Sequence, residues 1–261
     1  MTKLAGCELM LGDCRDVLPT IDAGSADVCI TDPPYGDTCL DWDSQVDGWI
    51  AEVARILKPN ASVWVFGSMR FLAPLFAEFA AAGFKYSQDI VWEKQNGTGF
   101  HADRFRRVHE HAVLFYRGPW ADVYHDTQYT LDATAKTVRR KTRPTHTGQI
   151  DAGHYVSEDG GPRMMRSVIY MANEHGTAIH PTQKPVELLR SMVRYSVPPG
   201  GKVIDPFSGS ASGAVACFEE GRRFLGIEKD PAHYRDAAAR FDGLVNPVQA
   251  GLFARPALEV A

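Results

Sequence analysis

Short apolar runs that stop in a Gly, Asp or Pro turn and are followed by a helix-spaced segment recur along this chain, and this rhythm constrains its fold most. Leu9-Met10-Leu11 ends in Gly12-Asp13, and Ala26-Asp27-Val28-Cys29-Ile30-Thr31 ends in Asp32-Pro33-Pro34, as buried strands of a parallel sheet do. Between them Arg15 to Leu18 can make a helical turn. The spacing of Val46, Trp49, Ile50, Val53, Ile56 and Leu57 predicts a helix over 45–57, stopped before Lys58-Pro59-Asn60, and Ser62 to Gly67 reads as the next strand. A helix over 70–82, ended by Gly83, and strands near 86–93 and 111–116 continue the series. The rhythm returns with a helix from Pro185 to about Tyr195, a strand over 202–205, a helix over 212–220, a strand over 223–228 and a helix from Pro231 to about Phe241. The class is α/β.

Between these two stretches, 117–179 is polar, glycine-containing and aperiodic, and reads as an insertion. Four regions result: 1–116, the inserted 117–179, 180–245, and a loosely ordered tail over 246–261. The chain carries 28 Lys and Arg against 32 Asp and Glu in 261 residues, but the charge is unevenly spread. Residues 94–170 hold 12 basic and 8 acidic side chains, and the remainder 16 and 24. A basic middle on an acidic body points to a polyanionic partner. Five scattered cysteines without a Cys-x-x-Cys pair suggest reduced thiols, and the histidines lack metal-ligand spacing, so no metal site is expected. The N-terminus lacks the apolar run of a signal peptide and no run of ~18 apolar residues occurs, so the expectation is a cytoplasmic protein with no membrane association.

Two constellations carry chemistry. Asp205-Pro206-Phe207-Ser208-Gly209-Ser210-Ala211-Ser212-Gly213 is a strand running into a small-residue turn that opens a helix, where backbone can approach a ligand closely. About twenty residues on, at the end of the next strand, Glu228 can accept hydrogen bonds from ribose hydroxyls. Together they imply a nucleoside-containing cofactor, although such turns also serve packing alone. The G-x-G-x-x-G spacing and the Gly-Lys-Ser/Thr of a phosphate loop are both absent. The second constellation is Asp32-Pro33-Pro34-Tyr35-Gly36. Two prolines stiffen the backbone and remove two donors, leaving carbonyls beside a carboxylate and a flat ring. That set can hold an exocyclic amino group: two acceptors gripping the NH₂ favour a more nucleophilic nitrogen and help its proton leave. The bland alternative is a turn.

Together these motifs resemble the amino-group (N6-adenine/N4-cytosine) DNA methyltransferases that use S-adenosylmethionine, over roughly residues 5–240. Asp32-Pro33-Pro34-Tyr35 is similar to that family's catalytic motif, and Asp205 to Gly213 to its D-P-F-x-G-S-G cofactor loop, with Ala211 where the second glycine usually stands. His180-Pro181-Thr182-Gln183-Lys184-Pro185 resembles the H-P-T-x-K-P segment beside the methionine end of the cofactor. The order, catalytic motif first and cofactor loop last, resembles the β group. The resemblance therefore implies a Rossmann-like methyltransferase fold: a mostly parallel seven-stranded sheet with helices on both faces, circularly permuted, with a small inserted DNA-recognition region.

It further implies cofactor contacts from Asp13, Asp32, Lys184, Asp205, Pro206, Phe207, Ser208, Gly209, Ser210, Ala211, Ser212 and Glu228, and catalytic roles for Asp32, Pro33, Pro34 and Tyr35. Helix capping is an alternative for Asp13. The basic middle falls where the family carries target recognition, which makes Arg104, Arg106, Arg107, Lys136, Arg139, Arg140, Lys141 and Arg143 candidate contacts to double-stranded DNA. The expected reaction is methylation of adenine N6 after base flipping. Methylation of cytosine N4 is the runner-up in the same chemistry, and a catalytically idle DNA-binding module the reading from another class. Members of the β group often pair, so a homodimer is a further expectation from resemblance.

Overall fold

The structure, a computed structural model, describes residues 2–4, 6–37, 43–98, 102–139, 154–172 and 183–245. The chain divides into two compact units, Met1–Asp126 with Ser167–Ala261, and Thr127–Arg166. The larger unit begins with β1 (Thr2–Leu4), β2 (Cys7–Leu11), α1 (Cys14–Val17), β3 (Ala26–Thr31), α2 (Trp49–Ile56), β4 (Leu57–Gly67), α3 (Met69–Ala81), β5 (Lys85–Thr98) and β6 (Arg107–Tyr116). The smaller unit holds β7 (Tyr129–Thr130), β8 (Lys136–Arg139), β9 (His154–Ser157) and β10 (Arg163–Met164). The larger unit resumes with β11 (Val168–Tyr170), α4 (Val186–Ser196), β12 (Lys202–Asp205), α5 (Ser212–Glu219), β13 (Arg223–Glu228) and α6 (Pro231–Val245).

The larger unit is organised by one sheet in the order β1-β2-β13-β12-β3-β4-β6-β5-β11. From β2 to β4 all neighbours are parallel, and β6 alone reverses the direction between β4 and β5. Those seven strands match the expected sheet. The described residues add two more: β1 lies antiparallel on β2, and β11 parallel on β5. Each spans three residues, too few for an alternation to register in sequence.

Strand pleat divides the core between the two faces. Val28, Ile30, Trp64, Phe66 and Val203 pack with Leu188, Leu189, Met192 and Val193 of α4 and with α5 and α6. The alternate positions Cys29, Val63, Val65 and Ile204 pack with Trp49, Ile50, Val53 and Ile56 of α2 and Phe71, Leu72, Leu75 and Phe79 of α3. Helices therefore cover both faces. Such double coverage is why these strands read as continuous apolar runs. Of the five cysteines expected as reduced thiols, Cys7, Cys14, Cys29 and Cys217 are buried and free, and Cys39 lies outside the described residues.

In the smaller unit β7 pairs with β10 and β8 with β9, both antiparallel. The stretch expected as an insertion, 117–179, thus has an inner part, 127–166, that clusters on itself. Its flanks belong to the larger unit, where Asp126 N–H donates to the Tyr195 carbonyl at 2.7 Å and Trp92 Nε1 to that of Met171 at 2.8 Å. The tail over 246–261 lies outside the described residues.

Candidate active site

The parallel strands β2, β3, β12 and β13 end on one edge of the sheet, and the turns leaving them line a cleft of about 260 Å³. Open α/β sheets place ligand sites there because the turns and helix N-termini converge. Asp13, Asp32, Lys184, Asp205, Pro206, Phe207, Ser208, Gly209, Ser210, Ser212 and Glu228 all line this cleft, as does Pro34.

The loop after β12 is held from three sides. Asp205 Oδ1 accepts the Thr31 hydroxyl of β3 at 2.7 Å and the Phe207 N–H at 3.0 Å. Burial pushes the Asp205 carboxyl up to about 7, against the pull of those two bonds. Ser208 N–H donates to the Ile227 carbonyl at 2.9 Å, and Gly209 N–H to Glu228 Oε2 at 2.9 Å. From α6, Arg240 Nη1 donates to the Ser210 carbonyl and to Ser212 Oγ, each at 3.0 Å. Ala211, buried at the N-cap of α5, has φ 56° and ψ 30°. An alanine there bears a left-handed strain of about 1–2 kcal/mol that glycine would escape. Gly213 permits close packing, since a Cβ on it would stand 2.9 Å from the Phe224 ring.

At the far end of the cleft, Asp13 accepts the Arg15 N–H at 2.9 Å as the N-cap of α1, and its carboxylate also holds the Arg15 guanidinium at 2.7 Å. That guanidinium keeps the Asp13 carboxyl down at about 2. Capping, the alternative for this residue, is therefore present, and Asp13 still lines the cleft.

Asp32-Pro33-Pro34-Tyr35 leaves β3 beside this loop. The Tyr35 hydroxyl donates to Asp32 Oδ1, and Lys184 Nζ to Asp32 Oδ2. The Tyr35 ring lies against Phe71 with centroids 5.1 Å apart. Lys184, the base in the segment before α4, also stands 3.4 Å from Glu110 Oε2, and Lys94 donates to Glu110 Oε1. Burial raises the Asp32 carboxyl above its ordinary value, with the Glu110 charge adding to the rise and Lys184 opposing it. Glu110 is also disfavoured by burial, but Lys184 and Lys94 outweigh this and hold it at about 2. Four charges, two of them buried lysines and two partly buried carboxylates, thus alternate in sign. Asp32 and Lys184 lie in motifs marked by sequence, whereas Glu110 and Lys94 lie in none.

Of the expected DNA contacts, Arg104 lies exposed and bonded to Asp103 at 2.9 Å. Arg106 is exposed, and Arg107 stands 3.5 Å from Asp37, two residues after Tyr35. Arg70, absent from the expectation, shares Asp37 at 3.5 Å. Lys136 is exposed at the start of β8 and Arg139 ends that strand; Arg140, Lys141 and Arg143 lie outside the described residues, as do His180, Pro181 and Thr182.

A permuted α/β sheet with an Asp-Pro-Pro-Tyr turn and a nucleoside-type loop on neighbouring strands defines the class of amino-group DNA methyltransferases. The chain belongs to the N6/N4 DNA methylase family, whose model matches residues 26–239. It is similar to the type II methyltransferase M.HinfI of Haemophilus influenzae, 26% identical over 258 residues, covering 89% of this chain and 67% of that protein. Among solved structures, the complex of M1.HpyAVI with SAM matches with a TM-score of 0.60 at 22% identity, over 90% of this chain and 99% of that one. The cytosine-N4-specific PvuII DNA methyltransferase matches with a TM-score of 0.63 at 16% identity, over 90% and 86%. At these identities the solved structures establish the fold.

Proposed function

We propose that this protein transfers a methyl group from S-adenosylmethionine to the N6 amino group of adenine in double-stranded DNA, flipping the target base into the mouth of the cleft. The observation that carries this reading is the juxtaposition of Asp32 with the loop after β12: adjacent strands, joined by the Thr31–Asp205 hydrogen bond, bring both motifs into one cleft.

The residues fit the cofactor. Ser208 Oγ is buried at the cleft without a hydrogen-bond partner among the described residues, an orphan that a polar ligand would satisfy. Glu228 and Asp13 offer carboxylates at one end for hydroxyl and amino donors, and Asp205 and Asp32 line the rest of the cleft. When bound, S-adenosylmethionine supplies an electrophilic methyl carbon on a cationic sulfur.

Asp32 and the Pro33 carbonyl accept the two hydrogens of the target amino group and orient its lone pair toward the cleft. As the nitrogen gains its methyl group, one N–H proton passes to an Asp32 carboxylate oxygen, leaving a neutral methylamino base and S-adenosylhomocysteine. Tyr35, braced by Phe71, stacks on the flipped base. An aspartate at the head of the motif, where N4-cytosine enzymes of the β group more often resemble Ser-Pro-Pro-Tyr, favours adenine. The fold shared with the cytosine-N4-specific PvuII enzyme keeps cytosine N4 as the second reading.

Incubating unmethylated plasmid DNA with the protein and S-adenosylmethionine, digesting it to nucleosides and weighing the products tests this directly. N6-methyladenine is expected; N4-methylcytosine transfers the assignment to the second reading, and 5-methylcytosine or no methylated base overturns the mechanism.

A further inference from the structure

The pair Glu110 and Lys94 stands where the sheet should be apolar. Along β6, Glu110 continues the face that Ala112 and Leu114 present to the core, and along β5, Lys94 continues the face of Trp92. Both are largely buried; Lys94 is 9% exposed, and its ammonium lies 4.4 Å over the Trp92 ring. Buried ion pairs seldom repay their desolvation, so two more charges in this position are not explained by stability alone. Their geometry supplies another reason. Asp32, Lys184, Glu110 and Lys94 are linked in series, with Glu110 the second carboxylate on Lys184 and Lys94 balancing Glu110.

We propose that Glu110 and Lys94 are positioning residues for methyl transfer, fixing through Lys184 where the Asp32 carboxylate stands and how firmly it is held. The proposal rests on the methyltransferase reading above. Were Asp32 the sole carboxylate on Lys184, the ammonium would pin it and weaken it as a proton acceptor. Glu110 draws part of that charge away, and Lys94 limits how much. The other titratable groups around this cluster are Tyr35, Asp205 at the end of β12, Asp43, whose charge reaches Tyr35, and His109 beside Glu110 on β6, whose imidazole is held below its ordinary value chiefly by burial. Among the described residues Lys184 forms ion pairs with two carboxylates, Asp32 and Glu110.

Two substitutions separate this role from a merely structural one, because they act on Asp32 with opposite sign. Glu110→Gln removes a negative neighbour, so the Asp32 carboxyl should ionise at lower pH. Lys94→Met frees Glu110 to pull harder on Lys184, so the carboxyl should ionise at higher pH. In kcat measured against pH, with labelled S-adenosylmethionine and unmethylated plasmid DNA, the acidic limb should move by roughly half a pH unit or more, down in the first variant and up in the second. Glu110→Gln should also lower kcat by on the order of tenfold with KM for S-adenosylmethionine near that of the native protein, and Glu110→Asp should restore part of the loss. Coincident limbs, or limbs that move the same way, overturn the proposal.

A wild-type protein that methylates no DNA overturns the reading beneath instead. The proposal is then decided by titrating the Asp32 carboxyl carbon by NMR, assigned through its loss in Asp32→Asn. Opposite shifts in the two variants support the coupling, and equal midpoints refute it.

Discussion

The Thr31 hydroxyl donates to Asp205 Oδ1 at 2.7 Å, tying the strand that leads into Asp32-Pro33-Pro34-Tyr35 to the strand that leads into the Asp205 to Gly213 loop across 174 residues of sequence. The same oxygen accepts the Phe207 N–H, so one buried acid sets both the sheet and the turn.

That acid makes stability depend on pH. Burial raises Asp205 from 3.8 to about 7, so between those values the folded protein holds a proton there that the unfolded chain has released. Stability from this group is therefore greatest near pH 4 and falls as pH rises toward 7, by at most about 1.4 kcal/mol per pH unit. Asp205→Asn keeps an oxygen for both donors and removes the charge. Chemical denaturation at pH 5, 6.5 and 8 should show the variant gaining on the native protein as pH rises. A constant difference across that range would contradict the buried ionisation.

Gly226, on β13, controls the cofactor loop from below. A Cβ there would meet Phe224 Cε1 at 2.5 Å and Ser208 Cβ at 2.7 Å, and Ser208 belongs to the loop. Gly226→Ala should lower stability by about 1–3 kcal/mol and displace the loop, weakening S-adenosylmethionine binding several-fold in calorimetry. If the melting temperature falls and affinity does not, strand and loop are independent.

Much of this site was legible because its motifs sit at strand ends, where apolar runs stop and turn residues begin. Asp32-Pro33-Pro34-Tyr35 and Asp205 to Gly213 mark such ends, and the structure brings both to one cleft. Glu110 escaped notice because it lies inside β6, in Arg107-Val108-His109-Glu110-His111, where a polar run hides which side the pleat turns inward. The β5–β6 register sets Trp92 opposite Glu110, and Lys94, two residues on, reaches Glu110 across the strands, a long-range fact. A signal existed: Glu110 shares the parity of Ala112 and Leu114. Arg240 and Gly226 were invisible for the same reason, since each acts on a loop that its own sequence neighbourhood does not contain.

The tyrosine of the catalytic segment has two separable parts. Its hydroxyl donates to Asp32, and its ring leans on Phe71. Tyr35→Phe removes a hydrogen bond to a charged group, so kcat/KM should fall, within the roughly 1.5–3 kcal/mol such bonds contribute. Loss of that donor raises the Asp32 carboxyl, so the acidic limb of the pH profile should move up. Phe71→Ala leaves the hydroxyl in place and unbraces the ring, so the loss should fall on DNA binding, up to the ~1–3 kcal/mol of base–aromatic stacking. Equal pH profiles for Tyr35→Phe and the native protein would show that the hydroxyl does not act on Asp32.

The arginines beside Asp37 supply the test of DNA binding. Arg70 and Arg107 both stand 3.5 Å from Asp37, with side chains 80% and 45% exposed, so one carboxylate is shared by two cations next to the catalytic segment. A phosphate arriving there meets positive charge in excess. Arg70→Ala and Arg107→Ala should each weaken binding to duplex DNA and reduce the slope of log affinity against log salt by about 0.9 for each phosphate no longer neutralised. Neutralising Arg139, Arg140 and Lys141 together, in the basic run of the sequence, should reduce it further. Arg104 is the internal control: its guanidinium is already engaged at 2.9 Å by the neighbouring Asp103, so Arg104→Ala should change the slope least. Calorimetric affinity for S-adenosylmethionine should survive the Arg70, Arg104 and Arg107 substitutions, since none of these three described residues lines the cleft. Fluorescence anisotropy across a salt series reads the slopes, and an Arg107→Ala slope equal to that of the native protein would exclude this arginine from the DNA interface.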